Sequence, residues 1–261
     1  MSDMTWLYDW PQYIPDLLPG VWKAMTLTAI SCFFGYLIGM FLALLVEVPR
    51  KSIRYAALAI VEIGRGVPIL VLLFVFYQGL PQLGLLLDPY PAAVLALTLS
   101  AAGYSSEMIR AGLNSVPKGQ SEAANSLSMS LIDNYRFVVI PQAARISIPP
   151  LVNLTIIMFQ ATSLATVITV PEIMQFAGIM GSATFEYMSI YIAAAVLYLC
   201  VTIPGGVLSS YLEKRMGAPK KRSTRHVLMA RFRISKTVAM GKTDSASGRM
   251  ENDLFLTKES S

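Results

Sequence analysis

Side chains able to do acid, base, metal or nucleophilic chemistry are scarce in this sequence, and the few present are badly placed for it. The single histidine, His226, stands in a basic stretch near the carboxyl end, so no histidine-based metal or proton-transfer site is expected. Cys32 and Cys200 fall inside apolar runs, where a cysteine is most simply a small hydrophobe. Gly241-Lys242-Thr243 mimics the end of a phosphate-binding loop, but Lys236 stands where that pattern needs a glycine and no strand pattern precedes it. What remains is electrostatics and hydrogen bonding. Glu62 and Arg65, and likewise Glu107 and Arg110, are three apart and can pair on one helical face. Asn153, Gln160, Thr162 and Ser163 offer neutral donors and acceptors. Such groups can hold a polar solute, but they do not break its bonds, so no catalytic residue is expected.

The elements that must position these groups are apolar. With 54% hydrophobic and 14% charged residues the chain is not a soluble globular protein, and 261 residues are enough for about five spans of ~20 residues each. The spans read as roughly residues 21–46, 56–80, 92–113, a fourth that begins near 146, and 189–212. Gly35, Gly39 and Ala43 are four apart along the first, a smooth stripe for packing within the chain or for a dimer seam. Pro68 just after Gly66 predicts a bend in the second, and Pro204-Gly205-Gly206 a kink in the fifth. The fourth is expected to break around Thr162-Ser163, with a loop from Pro171-Glu172 to Met188.

Orientation follows from the basic residues. Segments 1–20, 81–91 and 171–188 hold no Lys or Arg, whereas Arg50, Lys51 and Arg54 lie in the segment after the first span and Lys118, Arg136 and Arg145 in the one after the third. The positive-inside rule then puts the amino terminus outside and the 114–145 loop and carboxyl terminus in the cytoplasm. Residues 1–16 carry Asp3, Asp9 and Asp16 and lack the basic flank of a cleavable signal, so they are expected to form an outer, periplasmic segment. The basic excess sits in residues 217–261, so the charge does not point to nucleic acid. That tail, with Lys220-Lys221-Arg222 and no sustained apolar period, reads as disordered; residues 228–234 could touch a membrane surface or stay solvated.

Between the third and fourth spans lies the most informative segment, Gly119-Gln120-Ser121-Glu122-Ala123-Ala124, running through Leu127 to Pro141-Gln142-Ala143. Ala123, Ala124 and Leu127 are spaced as on one helical face, with alanines small enough for another backbone to approach. Ser130-Leu131-Ile132-Asp133 reads as a capping box opening a second short helix that Pro141 ends. Glu-Ala-Ala followed by an apolar-Pro pair resembles the signature loop of ABC importer permeases. Other motifs resemble that family's polar amino-acid branch: Arg65-Gly66-Val67-Pro68, Val116-Pro117-Lys118-Gly119-Gln120, Pro149-Pro150-Leu151-Val152-Asn153, Thr162-Ser163-Leu164 and Leu212-Glu213-Lys214-Arg215.

The resemblance spans about residues 15–216 and implies an all-α polytopic membrane protein with coupling helices, placed in a bacterial inner membrane as a permease domain at 17–216. It also implies ABC ATPase subunits that carry the ATP and magnesium, a periplasmic solute-binding protein, a sister permease or a second copy, and a polar amino-acid substrate. Coupling to the ATPase would then rest on Gly119, Gln120, Glu122, Ala123, Ala124, Leu127, Ser128 and Pro141. A midplane path would be lined by Arg65, Asn153, Gln160, Thr162 and Ser163, although the four neutral groups also suit interhelical packing and Arg65 also suits a permanent pair with Glu62 or with another helix. Two positions depart from the family pattern: Ser128 stands where it has glycine, and Gln160-Ala161 where it tends to have Lys then Asp or Asn. An ATP-independent carrier or channel is the alternative, with Glu62 and Glu107 as the acids available for ion coupling.

Overall fold

The computed structural model describes residues 6–216. Residues 217–261 lie outside them, and so does everything expected of the tail. The described part is helical from end to end: α1 (Trp6–Asp9), α2 (Ile14–Val46), α3 (Lys51–Gly66), α4 (Ile69–Phe74), α5 (Pro89–Asn114), α6 (Lys118–Ser126), α7 (Leu131–Asp133), α8 (Ile140–Ala161), α9 (Ile173–Thr184) and α10 (Tyr187–Met216). Four stretches are long and apolar enough to cross a membrane, namely Trp10–Val46, Pro89–Asn114, Leu131–Ile168 and Tyr187–Met216. A fifth, Lys51–Gly66 with Ile69–Leu83, turns by 105° at its break.

That break falls where the proline was expected to bend the span. A residue before proline is driven out of the helical region, and Val67 is extended at φ −84°, ψ 129°. Helix α3 therefore stops. The Tyr104 hydroxyl donates to the carbonyl of Arg65 at 3.3 Å, occupying one of the acceptors that the ended helix leaves free.

Helix α5 is the spine, with α2, α3 and α8 packed against it. In hydrocarbon, burying leucine gains little over leaving it in lipid, so close backbone approach and hydroxyl bonds of about 0.6 kcal/mol each must hold the helices together. Small residues supply the approach. A Cβ on Gly35 would meet the Ala101 Cβ at 2.6 Å, one on Gly39 would collide with Ser105 Oγ, and one on Gly103 would meet the Arg65 backbone nitrogen at 2.8 Å. Ser105 Oγ donates to the Gly35 carbonyl at 3.3 Å, and the Tyr36 hydroxyl ties α2 to α8 through the Leu151 carbonyl at 2.8 Å. The Gly35, Gly39, Ala43 stripe is therefore packing within the chain: all three are buried.

Several boundaries differ from expectation. Helix α2 starts at Ile14, well before residue 21, with a proline in its first turn where no N–H is needed. Helix α10 runs from Tyr187 to Met216, past both ends of the expected 189–212, with Pro204 inside it. Pro141 does not end a helix. It sits in the first turn of α8, where its missing N–H costs least, and the backbone ahead of it widens to a π-helical stretch over Asn134–Val139, so that α7 runs on into the fourth span. The segment expected as a loop between Pro171 and Met188 instead contains α9. Glu172 caps that helix, accepting from the Gln175 N–H at 2.9 Å, and Ile173, Ala177 and Gly181 form its buried stripe. At 12 residues, or about 18 Å, it is too short to span.

Candidate functional site

Two regions carry the residues singled out from the sequence. The first is the elbow between α6 and α7. Helix α6 ends in a Schellman turn: the Ser128 N–H bonds the Asn125 carbonyl at 2.9 Å and the Met129 N–H the Ala124 carbonyl at 3.2 Å. Ser128 takes the left-handed conformation at φ 57°, which glycine adopts freely and serine at a cost of about 1 kcal/mol. Ser130 Oγ then accepts the Asp133 N–H at 3.2 Å and opens α7. The capping is one-sided, since Asp133 Oδ2 takes the Ser130 hydroxyl at 2.6 Å instead of reaching back to the backbone.

The turn pushes apolar side chains outward. Leu127, Leu131 and Ile132 are 78%, 73% and 77% exposed, Leu127 between spans and the other two in the first residues of the fourth. The two alanines part company, because adjacent helical residues diverge by about 100°. Ala123 is exposed with Leu127, one turn on, whereas Ala124 is buried where α6 packs on the chain's own π-helical stretch. Glu122 and Lys118 line a cleft of about 340 Å³ with Asn114, Asn125 and Tyr135. Gly119 and Gln120 are exposed, Gln120 Oε1 accepting from Gln142 at 3.5 Å.

The second region is the end of α8. Asn153, Ile157, Gln160 and Leu164 lie at helical spacing and are all exposed, an open stripe with two carboxamides on a membrane-spanning helix. Helix α8 then gives way to a 3-10 turn over Thr162–Ile168, the break that was expected. Thr162 points inward, fully buried, its hydroxyl on the Phe159 carbonyl at 2.7 Å; Ser163 Oγ donates to the Gln160 carbonyl at 2.7 Å and is half-buried. Of these four, Thr162 has a packing role and the other three stay accessible. Arg65 is elsewhere, on α3, paired with Glu62 at 2.7 Å with both side chains exposed. Arg110 bridges Glu107 at 2.8 Å and Glu47 at 3.2 Å, so α5 is clamped to the end of α2.

One residue was read from the sequence only as the start of a loop. Glu172 is fully buried, the one charged-type side chain in that state among the described residues. Its only signal was an acid set between two apolar stretches beside a broken helix, which read as a loop. Among the described residues no group of three or more His, Cys, Asp or Glu side chains could hold a metal ion.

A bundle of apolar spans, one broken by a proline and one ending in an irregular turn, with an exposed elbow between spans, is the architecture of a multi-pass transport permease. Residues 35–218 match the family described as the inner membrane component of binding-protein-dependent transport systems, and the chain belongs to it. It is 37% identical to the "Probable amino-acid ABC transporter permease protein YckA" of Bacillus subtilis (strain 168), over 77% of this chain and 89% of that one. The L-cystine transport system permease protein TcyB of the same organism is 36% identical over 77% of this chain and 87% of its own length. Among solved structures, an amino acid ABC transporter crystallised with histidines superposes with a TM-score of 0.74 at 35% identity, covering 78% of this chain and 95% of that one. A methionine ABC transporter, MetNI, shares the fold at a TM-score of 0.63 and 21% identity. The protein is thus an ABC permease of the polar amino-acid branch, integral to the inner membrane.

Proposed function

We propose that this chain is the membrane-spanning subunit of an ATP-driven importer of polar amino acids such as glutamate, aspartate or glutamine, pairing with a second copy or a sister permease. The observation that carries this reading is the exposed apolar knob of Leu127, Leu131 and Ile132 on the α6–α7 elbow. Apolar side chains facing water outside a membrane mark a docking surface. The knob sits between Lys118 and Arg136, consistent with a cytoplasmic side where an ATPase subunit is found. Closure of two ATPase partners would push on the elbow, and α8, which continues from it, would carry the movement to the stripe of Asn153 and Gln160. That stripe suits a path between two permease subunits better than lipid, because uncompensated carboxamides are costly in hydrocarbon. A solute-binding protein would deliver the amino acid to the outer loops, where Asp88 and Glu186 stand.

Two measurements test the reading. Co-expressed ATPase should copurify with this chain and hydrolyse ATP in the complex. A thiol reagent that cannot cross membranes should leave Glu122→Cys unlabelled in intact cells; labelling from outside would put the elbow on the wrong side and end the proposal.

A further inference from the structure

Beyond the stripe and the elbow, one polar chain crosses the apolar interior. The Tyr198 hydroxyl donates to Glu172 Oε2 at 3.0 Å, Glu172 Oε1 accepts the Gln175 N–H at 2.9 Å, and Gln175 Oε1 accepts the Thr166 hydroxyl at 2.7 Å. Three elements meet there: Tyr198 belongs to α10, Glu172 and Gln175 to the start of α9, and Thr166 to the 3-10 turn that ends α8. Tyr198 also stacks edge-on against Phe159 of α8, with ring centroids 5.5 Å apart. It lies about 16 Å along α10 from Tyr187, so this carboxylate is buried well below the helix end.

A buried carboxylate is expensive, and capping a helix does not require burial, since N-caps work at surfaces. A shorter side chain would cap α9 equally well. Only the length of Glu lets one carboxylate cap α9 with one oxygen and hold α10 with the other. The turn joined to this network through Thr166 needs restraint: Thr169, which closes it, is left-handed at φ 62°, a conformation that no glycine eases.

We propose that Glu172 is a positioning residue for translocation, a two-handed tie between α9 and α10 that, with the Gln175–Thr166 bond, makes both helices move as one body with the turn that follows Gln160 and carries Ser163. Without the tie the turn would no longer follow α10 when the subunit rocks, and the carboxamide stripe would lose its two defined positions. The inference rests on the permease function proposed above. Uptake of radiolabelled glutamate, glutamine and arginine by the complete wild-type complex in proteoliposomes tests that function; the variants test this one.

Tyr198→Phe removes one hydroxyl and keeps the ring on Phe159. Glu172→Asp keeps a capping carboxylate but is too short for Tyr198. Each should lower the maximal uptake rate about tenfold, the worth of one hydrogen bond to a charged group, with half-saturation changed less than twofold and ATPase copurification unchanged. The double variant should be no slower than either single one, because both cut the same tie. Normal rates in Tyr198→Phe, multiplicative losses in the double variant, or loss of assembly in both single variants would each overturn the proposal, the last by making the network a folding element.

Discussion

The α2–α5 seam and the α6–α7 elbow use the same small residues for opposite purposes. In the seam, Gly35 and Gly39 let backbones touch, and their neighbours Ala101, Ala102 and Ser105 are buried. In the elbow, Ala123 and Gly119 lie open and leucine and isoleucine face outward. One region has its partner within the chain; the other is left open. A small-residue motif therefore says that something comes close, and only the surroundings say what.

The largest effect that would sharpen this contrast is at the seam. Gly39→Leu should remove the protein from the membrane fraction altogether, because its side chain would enter the space of Ser105 and the Ala102 carbonyl; a folded variant at normal level would break the comparison. At the elbow, Leu127→Glu combined with Ile132→Glu should leave the membrane level unchanged and lower ATPase copurification more than tenfold, since buried apolar anchors dominate an interface. Ala123→Trp should abolish uptake with normal insertion, whereas Ala124→Trp should also lower the amount of protein, because only Ala124 is packed inside. The smallest effect is Ser128→Gly, which should stabilise the purified protein by about 0.5–1 kcal/mol, read as a rise of a few degrees in its thermal midpoint.

The spans were legible because apolar stretches of this length have few other uses, and the proline after Gly66 announced the broken second span. At Ser128, where the resemblance puts a glycine, the sequence left open a left-handed serine or a reshaped turn, and the backbone is left-handed. Ala124 was misplaced because neighbours in sequence were assigned to one face, although a helix turns them about 100° apart. Helix α9 was missed for a different reason. Its stretch is too short to cross a membrane and has no basic residue, so it looked like an outer loop; its cap, Glu172, points inward to a tyrosine 26 positions later. Pro141 was misread as a stop because a π-helical stretch that absorbs a proline leaves no local trace in composition.

The open stripe on α8 also bears on how the cell counts its subunits. A copy made in excess of its partners would hold Asn153 and Gln160 against acyl chains, at a cost of a few kcal/mol for each uncompensated amide. Under the proposed pairing that cost falls only on a copy left without a partner, which sets assembled subunits apart from surplus ones in the membrane.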